Sequence, residues 1–362
     1  MIDDKKLIDK QSFLLLCVKC GRTNFNVPRT RQWSTLLFMF VPVLALALVV
    51  QPAPSPPVSA LIARARSIAS NAGDSVWPGF ARVPFPVLLV GADREVLYCP
   101  AGPAKGFAAM GRDALTHCTR KGRKRVFEPS IRATFWAVDH MPTVVIGMPA
   151  QTGDKGAVWV ATLLHEHFHQ MQMRAPGYQR QLAALDLAGS DTTGAWMLNF
   201  TFPYERNDVV AAFAAYAHAL KRALRATDKD DFARTVRLWR RARRAAFARL
   251  SAPQRRYGEF QLWQEGVARY SEIAIAEAAP PGRHHDNMDF DALALNLRQR
   301  VLDNLQNFDM AKNRRVSFYA LGAGEALLLD RLRPEWRARY FHSGLAMAPL
   351  VYETASPAGA AR

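Results

Sequence analysis

Leu163-Leu164-His165-Glu166-His167-Phe168-His169-Gln170 is the stretch whose reading decides the fold. It contains His-Glu-x-x-His and lies inside an apolar, helix-favouring run from about residue 157 to 173. On a helix, residues four apart share a face, so His165 and His169 aim two imidazoles at one point. A tetrahedral zinc site asks this of its first two ligands. Glu166 is the next residue round and can reach an attacking water without ligating the metal, as a general base does. His167 points to another face and reads as a histidine that supports the ligands or is simply buried.

Two imidazoles need a third ligand. Downstream, Gln261-Leu262-Trp263-Gln264-Glu265-Gly266-Val267-Ala268-Arg269-Tyr270 again reads as helix, within a span of about 252 to 278. His-Glu-x-x-His followed by a helix bearing Trp-x-x-Glu-Gly resembles the gluzincin metallopeptidases, the clan of thermolysin-like and M1 aminopeptidase-like enzymes. The resemblance implies Zn2+ as cofactor and Glu265 as third metal ligand, with Glu205, Glu259 or Glu272 as substitutes should it fail. Gly266 would allow a facing helix to approach closely. The metzincin pattern is excluded, because it requires Gly and His where this chain has Gln172 and Ala175.

A third match is Val316-Ser317-Phe318-Tyr319-Ala320-Leu321-Gly322, leading into an apolar helix. It is similar to the Tyr-x-x-Gly of a late M1-like helix, which implies that Tyr319 donates to the developing oxyanion. On its own the pattern also reads as packing. Two features depart from the family. His169 and Glu265 stand 96 positions apart, so a helical insertion must fill the interval. Ile146-Gly147-Met148-Pro149-Ala150 lacks the carboxylate of the M1 amine-binding strand, so amino-terminal specificity does not carry over. The resemblance is confined to short motifs between about residues 145 and 332.

The 362-residue chain is 49% apolar, enough for one large or two ordinary domains. Its formal charge of +17 reads either as a solvated basic surface or as attraction to anionic lipids, envelope polymers or nucleic acid; nucleic acid is not the expected partner. Residues 1–33 are polar and basic. Residues 34–50 hold an uncharged run of signal-peptide length, followed by a Pro-rich spacer to residue 57 and a small-residue Val58-Ser59-Ala60. Basic residues precede the run, so the body is expected outside the cytoplasm, either exported or tethered to the membrane. Cys17 and Cys20 are a lone Cys-x-x-Cys; Cys99 and Cys118 would form a disulfide in an exported body and two thiols in a cytosolic one.

The expected fold class is α+β. A mixed part over residues 58–150 carries a short helix at 60–72 and strands at 86–90, 95–98, 131–138 and 143–148 in a small antiparallel sheet. A helical part over residues 151–362 carries the zinc site. The resemblance to gluzincins implies a sheet edge above the metal that pairs with substrate backbone, and residues 143–148 are the candidate for it. His117 and His140 read as surface residues, as does the His284-His285 pair. Residues 174–204, rich in Gly and Pro, read as an irregular wall of the cleft. Helices at 208–226 and 231–250 fill the insertion, the second with Arg237, Arg240, Arg241, Arg243 and Arg244 as a basic face open to an anionic partner. On the Glu265 helix, Arg269 and Glu272 either orient ligands or form a surface ion pair. The functional expectation is a zinc metallopeptidase acting on a peptide or protein substrate. A zinc amide hydrolase on a non-peptide envelope substrate and a non-catalytic basic envelope-binding protein remain as alternatives. Oligomeric state is not legible.

Overall fold

The computed structural model describes residues 56–191, 193–280 and 288–352. The basic extension, the apolar run at 34–50, Cys17, Cys20, His284 and His285 lie outside the described residues. Among the described residues, no helix is long and apolar enough to cross a membrane.

The fold is α+β. Helix α1 (Val58–Asn71) opens it. A six-stranded sheet follows, in the order β3-β4-β2-β1-β6-β5. Its strands are β1 (Val87–Val90), β2 (Arg94–Tyr98), β3 (Ala108–Arg112), β4 (Thr119–Lys124), β5 (Arg132–Val138) and β6 (Met141–Gly147). The sheet is mixed rather than antiparallel: β1 and β6 run parallel, with Val87 opposite Val144, and the other pairs are antiparallel. Both strands of the parallel pair are buried almost throughout. Their uninterrupted apolar sequences suit a position covered on both faces.

The expectation that residues 143–148 form the edge is therefore wrong. That stretch is interior, and β5 is the edge. Its side chains alternate between a face toward the helices and a face toward a second apolar cluster, which leaves it amphipathic where β6 is not. The β5–β6 turn places Asp139 and His140 at φ +48° and +54°, the geometry of a tight hairpin turn. His140 and His117 are both exposed. Strands β3 and β4 escaped the sequence reading because they are short, charged and largely exposed. They are stapled to β2 by the Cys99–Cys118 disulfide, whose Cα atoms are 4.8 Å apart.

Helix α2 (Gly156–Arg174) follows β6 and is buried on nearly every side, with His165, Glu166, His167, His169, Gln170 and Gln172 among its buried residues. Sheet strands β5 and β6 lie on one flank and helix α6 (Val267–Ala278) on another. Between them in sequence come a segment with two short helices, Tyr178–Ala184 and Trp196–Asn199, then α3 (Asn207–Arg225) and α4 (Lys229–Ala248). These fill the insertion. Asp228 caps α4 by accepting from the Asp230 and Asp231 amides. Helix α5 (Ala252–Gln261), opened by a Ser251/Gln254 capping box, continues through a π turn at Leu262–Gly266 into α6. Helices α7 (Phe290–Gln306) and α8 (Ser317–Leu332) complete the bundle. One hydrophobic cluster runs from Leu61 to Val351, joining the helices to one face of the sheet.

Arg243 departs from the basic face read on α4. It is 1% exposed. Its guanidinium grips both oxygens of Glu259 at 2.8 Å and donates to Glu325 at 2.5 Å, which also accepts from the Tyr216 hydroxyl. The cluster joins α3, α4, α5 and α8 from inside. Arg237, Arg241 and Arg244 do face solvent.

Candidate metal centre

Helix α2 presents His165 and His169 one turn apart. Their Nε2 atoms are 3.1 Å from each other. Glu265, on the π turn, brings Oε2 to 3.8 Å from His165 Nε2 and 3.6 Å from His169 Nε2. The extra residue in a π turn rotates the helix locally, and such turns recur at functional sites. Glu205, by contrast, pairs with Arg314 on the surface, and Glu259 is held by Arg243. Neither takes the place of Glu265. Among the described residues, His165, His169 and Glu265 form a group able to hold a metal ion.

The fit can be tested on distance. A tetrahedral ion with bonds near 2.0–2.1 Å separates its ligand atoms by roughly 3.4 Å. The three observed separations bracket that value. Two imidazole nitrogens and one carboxylate oxygen also suit a first-row divalent cation better than calcium or magnesium, which prefer all-oxygen shells.

The surroundings favour positive charge. Burial would depress the His165 imidazolium, yet Glu272, Glu265 and Glu166 outweigh it and push the pKa up to about 10. Burial would likewise raise the Glu265 carboxyl, but Arg315 and the two imidazoles hold it well below the usual carboxylate range. Glu265, Glu272 and the two imidazoles, with the guanidinium groups of Arg269 and Arg315, thus form one largely buried charged cluster.

Each of the three side chains has a close polar neighbour. Glu272 Oε1 lies 2.6 Å from His165 Nδ1, off the ring's N–H direction, and its other oxygen pairs with Arg269. Arg269 and Glu272 do form an i to i+3 ion pair, and its carboxylate is buried rather than on the surface: Glu272 is 5% exposed. His169 Nδ1 is 2.6 Å from Gln172 Oε1. The Gln172 amide in turn donates to the Trp263 and Gln264 carbonyls, at 3.2 and 3.0 Å. Gln172 thereby ties the two motif helices across the site. Arg315 approaches Glu265 Oε1 at 3.1 Å.

Glu166 is buried and its Oε2 accepts from the Thr134 hydroxyl at 3.0 Å. The same single Thr134 proton is shared with the Glu166 carbonyl, at 2.8 Å, so the edge strand β5 lies against the residue that follows His165. Tyr319, in the first turn of α8, lies with its ring parallel to His165, centroids 6.1 Å apart. His167 is not part of the centre. It stacks on Phe85 with centroids 3.6 Å apart and meets Gln170 Oε1 at 2.7 Å, bridging α2 to the sheet side of the core.

Sequence reasoning missed Thr134, Gln172 and Arg315. Only position could have found them: Gln172 is three residues after His169, and Arg315 is four before Tyr319. Compared with known proteins, the chain matches no family model, no curated protein and no solved structure.

Proposed function

We propose that the chain is a zinc-dependent hydrolase of gluzincin type that cleaves peptide bonds. The observation that carries this reading is the convergence of Glu265 on the His165/His169 pair from 96 positions away. Structural packing alone does not call for two imidazoles and an ionised carboxylate around one point.

Zinc, when bound by His165, His169 and Glu265, would supply Lewis acidity to a water and to the scissile carbonyl. The chain's own residues do the rest. Glu166 takes the proton of the attacking water and returns it to the leaving amine. Thr134 fixes the carboxylate that performs this transfer. Tyr319 donates its hydroxyl proton into a hydrogen bond with the developing oxyanion. Among the described residues β5, which carries Thr134, is an edge strand of the sheet, and pairing of an extended peptide backbone with such an edge would favour a peptide over other amides. The apolar run at 34–50 and the Cys99–Cys118 disulfide support a site of action outside the cytoplasm.

The test is turnover of a fluorogenic peptide library by the zinc-loaded chain and by Glu166→Gln. Cleavage by the former and a loss of at least roughly 100-fold in the latter, with zinc retained, is the expected result. Equal cleavage by both would overturn the assignment of Glu166. Cleavage by neither would overturn the peptidase reading.

A further inference from the structure

The two oxygens of Glu265 have different neighbours. Oε2 faces the imidazole nitrogens, at 3.8 and 3.6 Å. Oε1 faces the guanidinium of Arg315, at 3.1 Å. Arg315 stands in a single 3-10 turn, Arg314–Val316, directly before α8. Its Nη1 lies 3.4 Å from the Tyr319 hydroxyl and 3.5 Å from Gln261 Oε1, and its guanidinium carbon lies 5.6 Å from the Tyr319 ring centre. The side chain is 12% exposed and that of Glu265 15%, so the ion pair is largely removed from solvent. Its neighbour Arg314 turns outward to Glu205, which leaves Arg315 as the inward member of the Arg-Arg pair.

A carboxylate can bind a metal through one oxygen or two. If both oxygens of Glu265 turned to the ion, the position that a water and then a substrate carbonyl must occupy would be crowded. A guanidinium and a carboxylate largely removed from solvent attract each other strongly, and here the guanidinium lies 3.1 Å from the oxygen that must stay away, while its Nη1 donates to the Tyr319 hydroxyl and to Gln261 Oε1. We propose that Arg315 is a positioning residue that makes Glu265 a one-oxygen ligand and couples that ligand to the Tyr319 hydroxyl. This rests on the metal-centre reading above. The same Nη1 reaches the ligand on one side and the hydroxyl on the other, so a shift of either is felt by both. A purely structural ion pair would stabilise the fold without governing how many oxygens reach the metal.

The experiment is cobalt(II) substitution of the full chain, because the visible spectrum of cobalt reports its coordination number and geometry. The wild type is expected to give the intense visible band of a four-coordinate ion. Arg315→Met is expected to bind cobalt with a weaker band, as Oε1 joins the shell. Circular dichroism confirms that the variant is folded. Should Arg315→Met fail to fold, Arg315→Gln, which keeps a donor but no charge, is read in the same way. A folded variant with the wild-type band overturns the role of Arg315 alone. A wild type that takes up no cobalt, or takes it up equally after His165→Ala and His169→Ala together, overturns the metal centre itself.

Discussion

Gly266 and Gly322 face each other across the contact between the π turn and α8. A Cβ on Gly322 would come within 2.6 Å of the Gly266 Cα and 2.5 Å of the Leu262 carbonyl oxygen. A Cβ on Gly266 would meet the Gly322 backbone as well. Each glycine belongs to a motif: Gly266 follows Glu265, and Gly322 is three residues after Tyr319. The close approach that Gly266 permits is therefore to the Tyr319 helix, and the two glycines set how closely the segment bearing Glu265, the proposed metal ligand, packs on the helix bearing Tyr319.

Neither helix can move aside without displacing a site residue. Gly322→Ala should cost about 1–3 kcal/mol, as overpacking does, and should weaken metal binding although it touches no ligand. Thermal unfolding and a metal competition assay on the same variant check both. A variant as stable and as metal-avid as the wild type would show that the contact is not a constraint.

Glu272 tests whether the carboxylate beside His165 supports it as the proposed ligand. It approaches His165 Nδ1 and is itself held by Arg269. Glu272→Gln keeps the shape and removes the charge. Metal affinity should fall roughly 10–100-fold, the usual effect of removing a carboxylate behind a ligating histidine. Competition with a chromogenic chelator measures it; unchanged affinity would reduce the pair to a buried ion pair.

His167 gives a pH dependence with a definite sign. Burial, with Arg66 adding to it against the Gln170 contact, lowers its pKa from 6.5 to about 3. The unfolded chain takes up this proton below pH 6.5 and the folded chain does not until about pH 3. The contribution to stability is therefore whole above pH 6.5 and declines as the pH falls toward 3, by roughly 1.4 kcal/mol per pH unit. A cation in the nearby centre would push in the same direction. Denaturant titrations of metal-free wild type and His167→Phe, which keeps a ring against Phe85, should diverge in this window. Superimposable pH profiles would contradict the assignment.

What was legible in the sequence is what chemistry pins to fixed residue types. The His-Glu-x-x-His helix could be read from its own spacing and Glu265 from the resemblance of Trp263-Gln264-Glu265-Gly266 to the gluzincin helix, and the structure brings the three side chains together. The hairpin strands were legible from their alternation and their turn. The choice of edge strand was not, since an apolar run such as residues 143–147 looks the same whether it is covered on one side or two; only its pairing with β1 decides. Strands β3 and β4 were not legible because their pairing does not depend on burying a face. Arg243 looked like one of several surface arginines on α4, and only the arrival of Glu325 from 82 positions away makes it a core residue. Thr134, Gln172 and Arg315 are ordinary residue types whose roles exist only once three distant segments meet.

The most direct test of the central claim is the metal content of the purified full chain after incubation with zinc and removal of the excess. One equivalent per chain is expected, falling to background in His165→Ala, His169→Ala and Glu265→Ala, each confirmed as folded. A wild-type chain that retains no zinc, or variants that retain all of it, would contradict the account.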